Sequence, residues 1–235
     1  MTNLFEIPTP TLAIVGAAER YPVNRIYCVA RNYAAHAREM GANPERESPF
    51  FFGKPANALT ENNTAIPFPL STKDLHHEVE LVVALAGEGL AKKGEHLSID
   101  EASAAVFAYG VGIDFTRRDL QAVAKELGRP WDTAKGFDHS APVSALTRAD
   151  QVADIASAGI SLHVNGELRQ QGLISDLIWN IPELIAELSN YYCLRPGDLI
   201  FTGTPAGVSA VVVGDKMEGK IDQLETLRVS LSSRS

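Results

Sequence analysis

Cysteine is scarce in this 235-residue chain. Cys28 and Cys193 stand far apart and in no Cys-x-x-Cys spacing. That argues against a disulfide framework or a thiolate zinc site, and their apolar and aromatic neighbours predict two buried free thiols. Positive charge is also in short supply: 21 Lys and Arg face 29 Asp and Glu, a formal net charge of -8. A general binder of nucleic acid or of anionic membranes is expected to be basic, so neither is expected here. No apolar run approaches the roughly 20 residues that cross a bilayer. Met1 leads into no basic stretch followed by an apolar one, so no signal peptide is expected. These absences together predict a soluble, cytoplasmic protein. The chain also lacks G-x-G-x-x-G, a Walker loop and His-Glu-x-x-His, which leaves nicotinamide, nucleotide and zincin chemistry without their usual signals. There is no internal repeat and no low-complexity segment.

What is present is an ordinary globular composition, 45% hydrophobic and 21% charged, in a chain long enough to bury a core. Short β-branched runs dominate. Strands are expected at 25–30, 74–83, 109–115, 198–202 and 226–231, and a hairpin at 160–171 turning on Asn165-Gly166. Helices are expected at 32–40 with Gly41 as its stop, at 98–107, at 117–127 with Gly128 as its stop, and at 181–189. Residues 42–49 read as loop and 60–74 as turn-rich, and an apolar run lies at 211–213. Helices are few and no regular βαβ alternation is visible. The expected fold is β-rich α+β, with sheets rolled or sandwiched around one core.

Within the 74–83 strand, Glu78 and Glu80 stand two residues apart. Alternate side chains of a strand share a face, so these two carboxylates point the same way. Like charges that close repel, and each raises the other's pKa unless a cation sits between them. A hard divalent cation with oxygen ligands meets that need; a solvated edge strand is the other reading. Asp114, at the end of an apolar strand, is either a helix cap or a third ligand. Three carboxylates would leave a six-coordinate ion about three positions for water and substrate. Lys135, set between Trp131 and Phe137, needs a partner: a salt bridge, or an anionic substrate and its developing charge. His36 and Glu39, three apart on the expected helix, share a face and form either a surface pair or a general base with its orienting carboxylate. His76 and His77 face opposite ways and are expected to be structural. The 202–205 loop, Thr-Gly-Thr-Pro, offers N–H groups and a hydroxyl to an anion.

Taken in order, these segments resemble the fumarylacetoacetate hydrolase family. The matching stretches are Cys28-Val29-Ala30-Arg31-Asn32-Tyr33 with His36 and Glu39, Phe52-Gly53-Lys54-Pro55, His77-Glu78-Val79-Glu80, and Asp114 through Gln121. Trp131 with Lys135 and Pro142, Val164-Asn165-Gly166-Glu167, and Leu199 through Pro205 complete the set. One departure is Ala30, where many members carry glycine. The resemblance implies a β-roll or sandwich, a homodimer, and Mg²⁺ or Mn²⁺ held by Glu78, Glu80 and Asp114. It also implies one catalytic domain over 25–235, an N-terminal segment 1–24 wrapped on it, and a lid at about 32–48 carrying His36 and Glu39. Lys135, Gln121 and Thr204 match positions that contact a 2-oxo acid. Arg31 and Arg118, with Arg38 and Arg117, are candidates for a distal carboxylate. The implied reaction is metal-dependent hydrolysis of a C–C bond in an acylpyruvate, with fumarylpyruvate of aromatic breakdown as the expected substrate. Oxaloacetate decarboxylation, or tautomerisation or hydration of a related oxo acid, is the first alternative on the same site; a non-catalytic module that holds a dicarboxylate on the metal is the second, and an intact base pair beside an open metal site argues against it.

Overall fold

The structure is a computed structural model and describes residues 3–34, 47–90 and 93–234. Its centre is an eight-stranded sheet in the order Phe50–Lys54, Arg25–Ala30, Asp198–Phe201, Val79–Leu85, Val106–Ile113, Ala141–Val143, Leu59–Glu61, with Thr147–Arg148 paired beside Val106–Ile113. A five-stranded sheet runs Glu167–Leu173, Gly159–Val164, Lys216–Ile221, Leu227–Ser232, Thr64–Pro67. Three short strands, Thr116–Arg117, Leu75–His77 and Ser209–Val211, make a third sheet, and Thr11–Ala13 with Arg20–Pro22 a fourth. Among the described residues no helix is long and apolar enough to cross a membrane.

Strand Val79–Leu85 explains the layering. It is buried along its whole length, with a strand hydrogen-bonded on each side. Val79, Leu81, Val83 and Leu85 point into one apolar cluster, shared with Ile160, Leu162, Met217 and Val229 of the five-stranded sheet and with Leu184 and Leu188 of helix Ile181–Leu188. Val82 and Ala84 point the other way, into a second cluster with Cys28, Phe201, Leu146 and the N-terminal residues Leu12, Tyr21 and Val23. Period-two alternation therefore puts Glu80 on the second face. Gly112 lies directly across from Glu80 in register. A Cβ there would sit 2.5 Å from Val82 Cγ2 and 2.6 Å from Phe201 Cε1, so only glycine leaves these side chains their room.

Several expectations change. The acidic strand is not continuous: it breaks at Glu78 into Leu75–His77 and Val79–Leu85, which join different sheets. Leu75–His77 is drawn off by pairing with Ser209–Val211 and Thr116–Arg117. Residues 60–74 hold more than turns, because the ends of strands Leu59–Glu61 and Thr64–Pro67 find parallel partners distant in sequence. Cys28 is buried, but Cys193 is exposed, on the segment after helix Ile181–Leu188 where its neighbour Leu194 turns inward instead. The apolar run at 211–213 buries Val211 alone; Val212 is 61% exposed and Val213 50%. The hairpin turn is as its chemistry requires, with Asn165 at φ 53° and Gly166 at φ 85°. Most of the helix expected at 32–40, with His36, Arg38 and Glu39, lies outside the described residues.

Gly112→Ala should cost about 1–3 kcal/mol through overpacking against Val82 and Phe201. A thermal melt should record this as a midpoint several degrees lower. An unchanged midpoint would mean that the sheet centre is looser than this packing requires.

Candidate active site

Three elements bring carboxylates together. Glu78 occupies the break before strand Val79–Leu85, Glu80 its second position, and Asp114 the residue after strand Val106–Ile113. The antiparallel register sets Val79 against Ile113, and the Asp114 N–H donates to the Glu78 carbonyl at 2.8 Å. One carboxylate oxygen from each residue lies within 4.8 Å of the others, and all three residues are buried. Asp114 is no helix cap: the N-cap of helix Arg118–Glu126 is Arg117, which makes no side-chain cap bond.

Cations surround two of the three. The Lys135 ammonium reaches Glu78 Oε2 at 2.8 Å and Asp114 Oδ2 at 2.6 Å. Asp114 Oδ1 lies 2.7 Å from the buried Lys54 ammonium, and Arg118 pairs with Glu78 Oε1. Burial alone would lower the Lys135 pKa, but Asp114 and Glu78 outweigh it and the net shift is upward. Glu80 is different. It is 2% exposed, pairs with no cation among the described residues, and accepts the Gly203 N–H at 2.7 Å. Burial, then Asp114 and Glu78, push its pKa well above the usual carboxylate range. Gly203 can serve because it sits at φ +104°, where a side chain would also press on Asn32.

This donor set fits a hard divalent cation. It is all oxygen, convergent and buried, and its least compensated member, Glu80, needs a positive charge nearby to stay ionised. The site is thus a candidate metal centre held by Glu78, Glu80 and Asp114.

The three carboxylates line a pocket of about 30 Å³ whose walls also include Arg31, Arg118, Gln121, Lys135 and Thr204. Eight of the residues singled out from the sequence thus share one wall; His36 and Glu39 lie outside the described residues. Lys135 makes the salt bridges considered for it and also stands in the pocket wall. Gln121 Oε1 accepts from Arg118 at 2.6 Å, and among the described residues its amide N–H groups have no acceptor. Arg117 does not belong here: it stacks 4.2 Å from the Phe137 ring centroid and donates to the Thr133 carbonyl. His76 pairs with Asp74, and His77, its pKa lowered to about 4 chiefly by burial, bonds to Gln170 and Ser209.

A larger cavity of about 360 Å³ adjoins the pocket, sharing Val29, Ala30, Arg31 and Trp131 as walls. Phe50, Ile178 and Trp179 add apolar surface, and Trp131 meets Phe50 edge-on at 5.1 Å. Arg31 stands at the junction with φ 59°. That left-handed backbone costs a non-glycine residue about 1–2 kcal/mol. Ala30 has ordinary strand pairing with Phe50.

Two contributors escaped the sequence reading. Lys54 lies in a matching stretch, and a lysine among phenylalanines was its only signal. Gln170 lies on a hairpin strand whose other residues are mostly exposed, and nothing in its neighbourhood marks it.

Comparison with known proteins follows the same lines. The family model described as "Fumarylacetoacetate (FAA) hydrolase C-terminal" matches residues 25–232. A fumarylpyruvate hydrolase of a Ralstonia species is 40% identical over 185 residues, covering 79% of this chain and 93% of that protein. An oxaloacetate tautomerase of Escherichia coli K12 is 39% identical over 208 residues, covering 88% and 92%. The crystal structure of fumarylpyruvate hydrolase from Pseudomonas aeruginosa, in complex with Mn²⁺ and pyruvate, superposes with a TM-score of 0.93 at 46% identity, covering 99% of this chain and 100% of that one. On the strength of its fold, its buried carboxylates and these matches, the chain belongs to the fumarylacetoacetate hydrolase family.

Proposed function

We propose that this enzyme is a divalent-metal-dependent acylpyruvate hydrolase that converts fumarylpyruvate to fumarate and pyruvate. The observation that carries the reading is the paired site: a small pocket walled by Glu78, Glu80, Asp114, Lys135, Gln121 and Thr204, opening beside a larger cavity with Arg31 at the junction. Glu78, Glu80 and Asp114 would hold Mg²⁺ or Mn²⁺, and the Pseudomonas aeruginosa relative binds Mn²⁺ with pyruvate. Bound there, the ion supplies Lewis-acid polarisation of the substrate's carboxylate and 2-oxo oxygens.

The chain's own groups do the rest. Hydrolysis adds water at C4 and breaks the C3–C4 bond, and the electron pair passes to C3 and the 2-oxo oxygen as pyruvate enolate leaves. Lys135 spends two of its three N–H donors on Glu78 and Asp114, so one remains for that developing charge. Gln121 and Thr204 offer donors to the 2-oxo acid end. His36 is the proposed base for the attacking water and Glu39 its orienting carboxylate, on a lid at about 32–48. Arg31 and Arg118 are the cations for the distal carboxylate, and the flat walls of Trp131 and Phe50 suit a planar unsaturated acyl chain. A homodimer, a cytoplasmic location and a place in aromatic breakdown belong to the same reading.

The second reading, turnover of oxaloacetate, draws on the tautomerase relatives. It needs the same ion and Lys135 but no base for water. The cavity of about 360 Å³ beyond the pocket favours the longer acyl substrate.

With Mn²⁺ present, the near-ultraviolet absorbance of fumarylpyruvate should decay, and a chelator should stop it. His36→Ala should abolish this hydrolysis and leave Mn²⁺ affinity nearly unchanged. Rapid turnover of oxaloacetate with no acylpyruvate consumed would overturn the hydrolase. Calorimetry should find Mn²⁺ bound at least about 100-fold more weakly by Glu80→Gln, since a charged ligand is lost. The same substitution should raise the unfolding midpoint of the chelated protein, because it removes an uncompensated buried carboxyl group. Unaltered Mn²⁺ affinity would remove Glu80 from the ligand set.

A further inference from the structure

Gln170 is 1% exposed on a hairpin strand that otherwise faces mostly outward. Its amide makes four contacts. Oε1 lies 3.0 Å from the Val79 N–H and 2.9 Å from His77 Nδ1. Nε2 lies 2.8 Å from Thr204 Oγ1 and 2.8 Å from the Pro205 carbonyl. The two backbone partners fix which end is which. Val79 N–H can only donate and the Pro205 carbonyl can only accept, so a flipped amide would forfeit both bonds in a buried place.

The direction of every other bond follows. Oε1 carries no proton, so His77 Nδ1 donates to it, whatever the other ring nitrogen does. Nε2 has two protons; one goes to Pro205 and the other to Thr204. The Thr204 oxygen is therefore an acceptor in this chain, and its own proton must point elsewhere. Among the described residues that hydroxyl has no acceptor, and Thr204 lines the carboxylate pocket.

We propose that Gln170 is a positioning residue that turns the Thr204 hydroxyl so that its proton donates into the pocket, where it receives a carboxylate or oxo oxygen of the ligand. The identity of that ligand as a 2-oxo acid rests on the proposed hydrolase reading. The same amide holds Val79, the residue between Glu78 and Glu80, so one side chain sets the register of the ligand strand against the 202–205 loop. That loop also delivers the Gly203 N–H to Glu80.

The test is a double-mutant cycle read as pyruvate affinity, measured by calorimetry on the full chain with Mn²⁺, so that it is independent of turnover. Thr204→Val and Gln170→Met should each weaken pyruvate binding by about tenfold, the scale of one hydrogen bond to a charged group. The double variant should be no weaker than the worse single one, because Gln170 acts through the Thr204 hydroxyl. Thr204→Ser should bind almost as wild type. In turnover, Gln170→Met should raise KM while kcat moves less. If Gln170→Met does not fold, Gln170→Glu keeps both acceptor contacts and takes its place in the cycle. Multiplied losses in the double variant, or wild-type affinity in the Gln170 variant, would overturn the proposal, as would a wild-type protein that does not bind pyruvate. A coupled cycle in a protein that cleaves no acylpyruvate would uphold it and overturn only the hydrolase.

Discussion

Three carboxylates forced together in a buried place is the constraint on which this structure turns. Ionised groups lose several kcal/mol on leaving water unless they are paired, and like charges compound that loss. The fold answers with cations set against them: Lys54 on Asp114, Arg118 on Glu78, and Lys135 across both. Glu80 receives one backbone N–H instead and stays poorly compensated. The imbalance has a direction. It leaves the strongest demand for positive charge on the side of Glu80, where the convergent oxygens would close on a divalent ion.

The sheets serve that placement. A strand with neighbours on both sides holds Glu80 on the face of Val82 and Ala84, and glycine opposite it makes the room. The break at Glu78 turns its backbone out of the large sheet and lets its carbonyl take the Asp114 N–H. Gln170 reaches in from the second sheet to pin the backbone between the two glutamates and the loop that faces them. In the proposed reading, selection for a 2-oxo acid at one end and an acyl chain at the other falls to the pocket and the cavity that share Arg31 and Trp131 as walls.

Much of this was legible in sequence because it depended on local pattern. Period two put Glu78 and Glu80 on one side, Asn-Gly marked the hairpin, and Gly128 marked a helix end, here at φ +61°. What escaped depended on distant partners. Strand Thr64–Pro67 exists because Leu227–Ser232 lies beside it, and a proline-rich segment does not announce a parallel edge strand. The bend at Glu78 needs two competing sheets. Lys54 and Gln170 acquire their roles only when residues far along the chain arrive beside them. Cys193 shows the opposite error: apolar neighbours in sequence did not make a buried site, since the segment turns them different ways.

The most direct test of the central claim is anomalous diffraction from crystals of this chain grown with Mn²⁺. A single strong peak within bonding distance of Glu78, Glu80 and Asp114 together is the expected result. A peak that leaves Glu80 uncoordinated, or no peak at the triad at a Mn²⁺ concentration that supports activity, would contradict it.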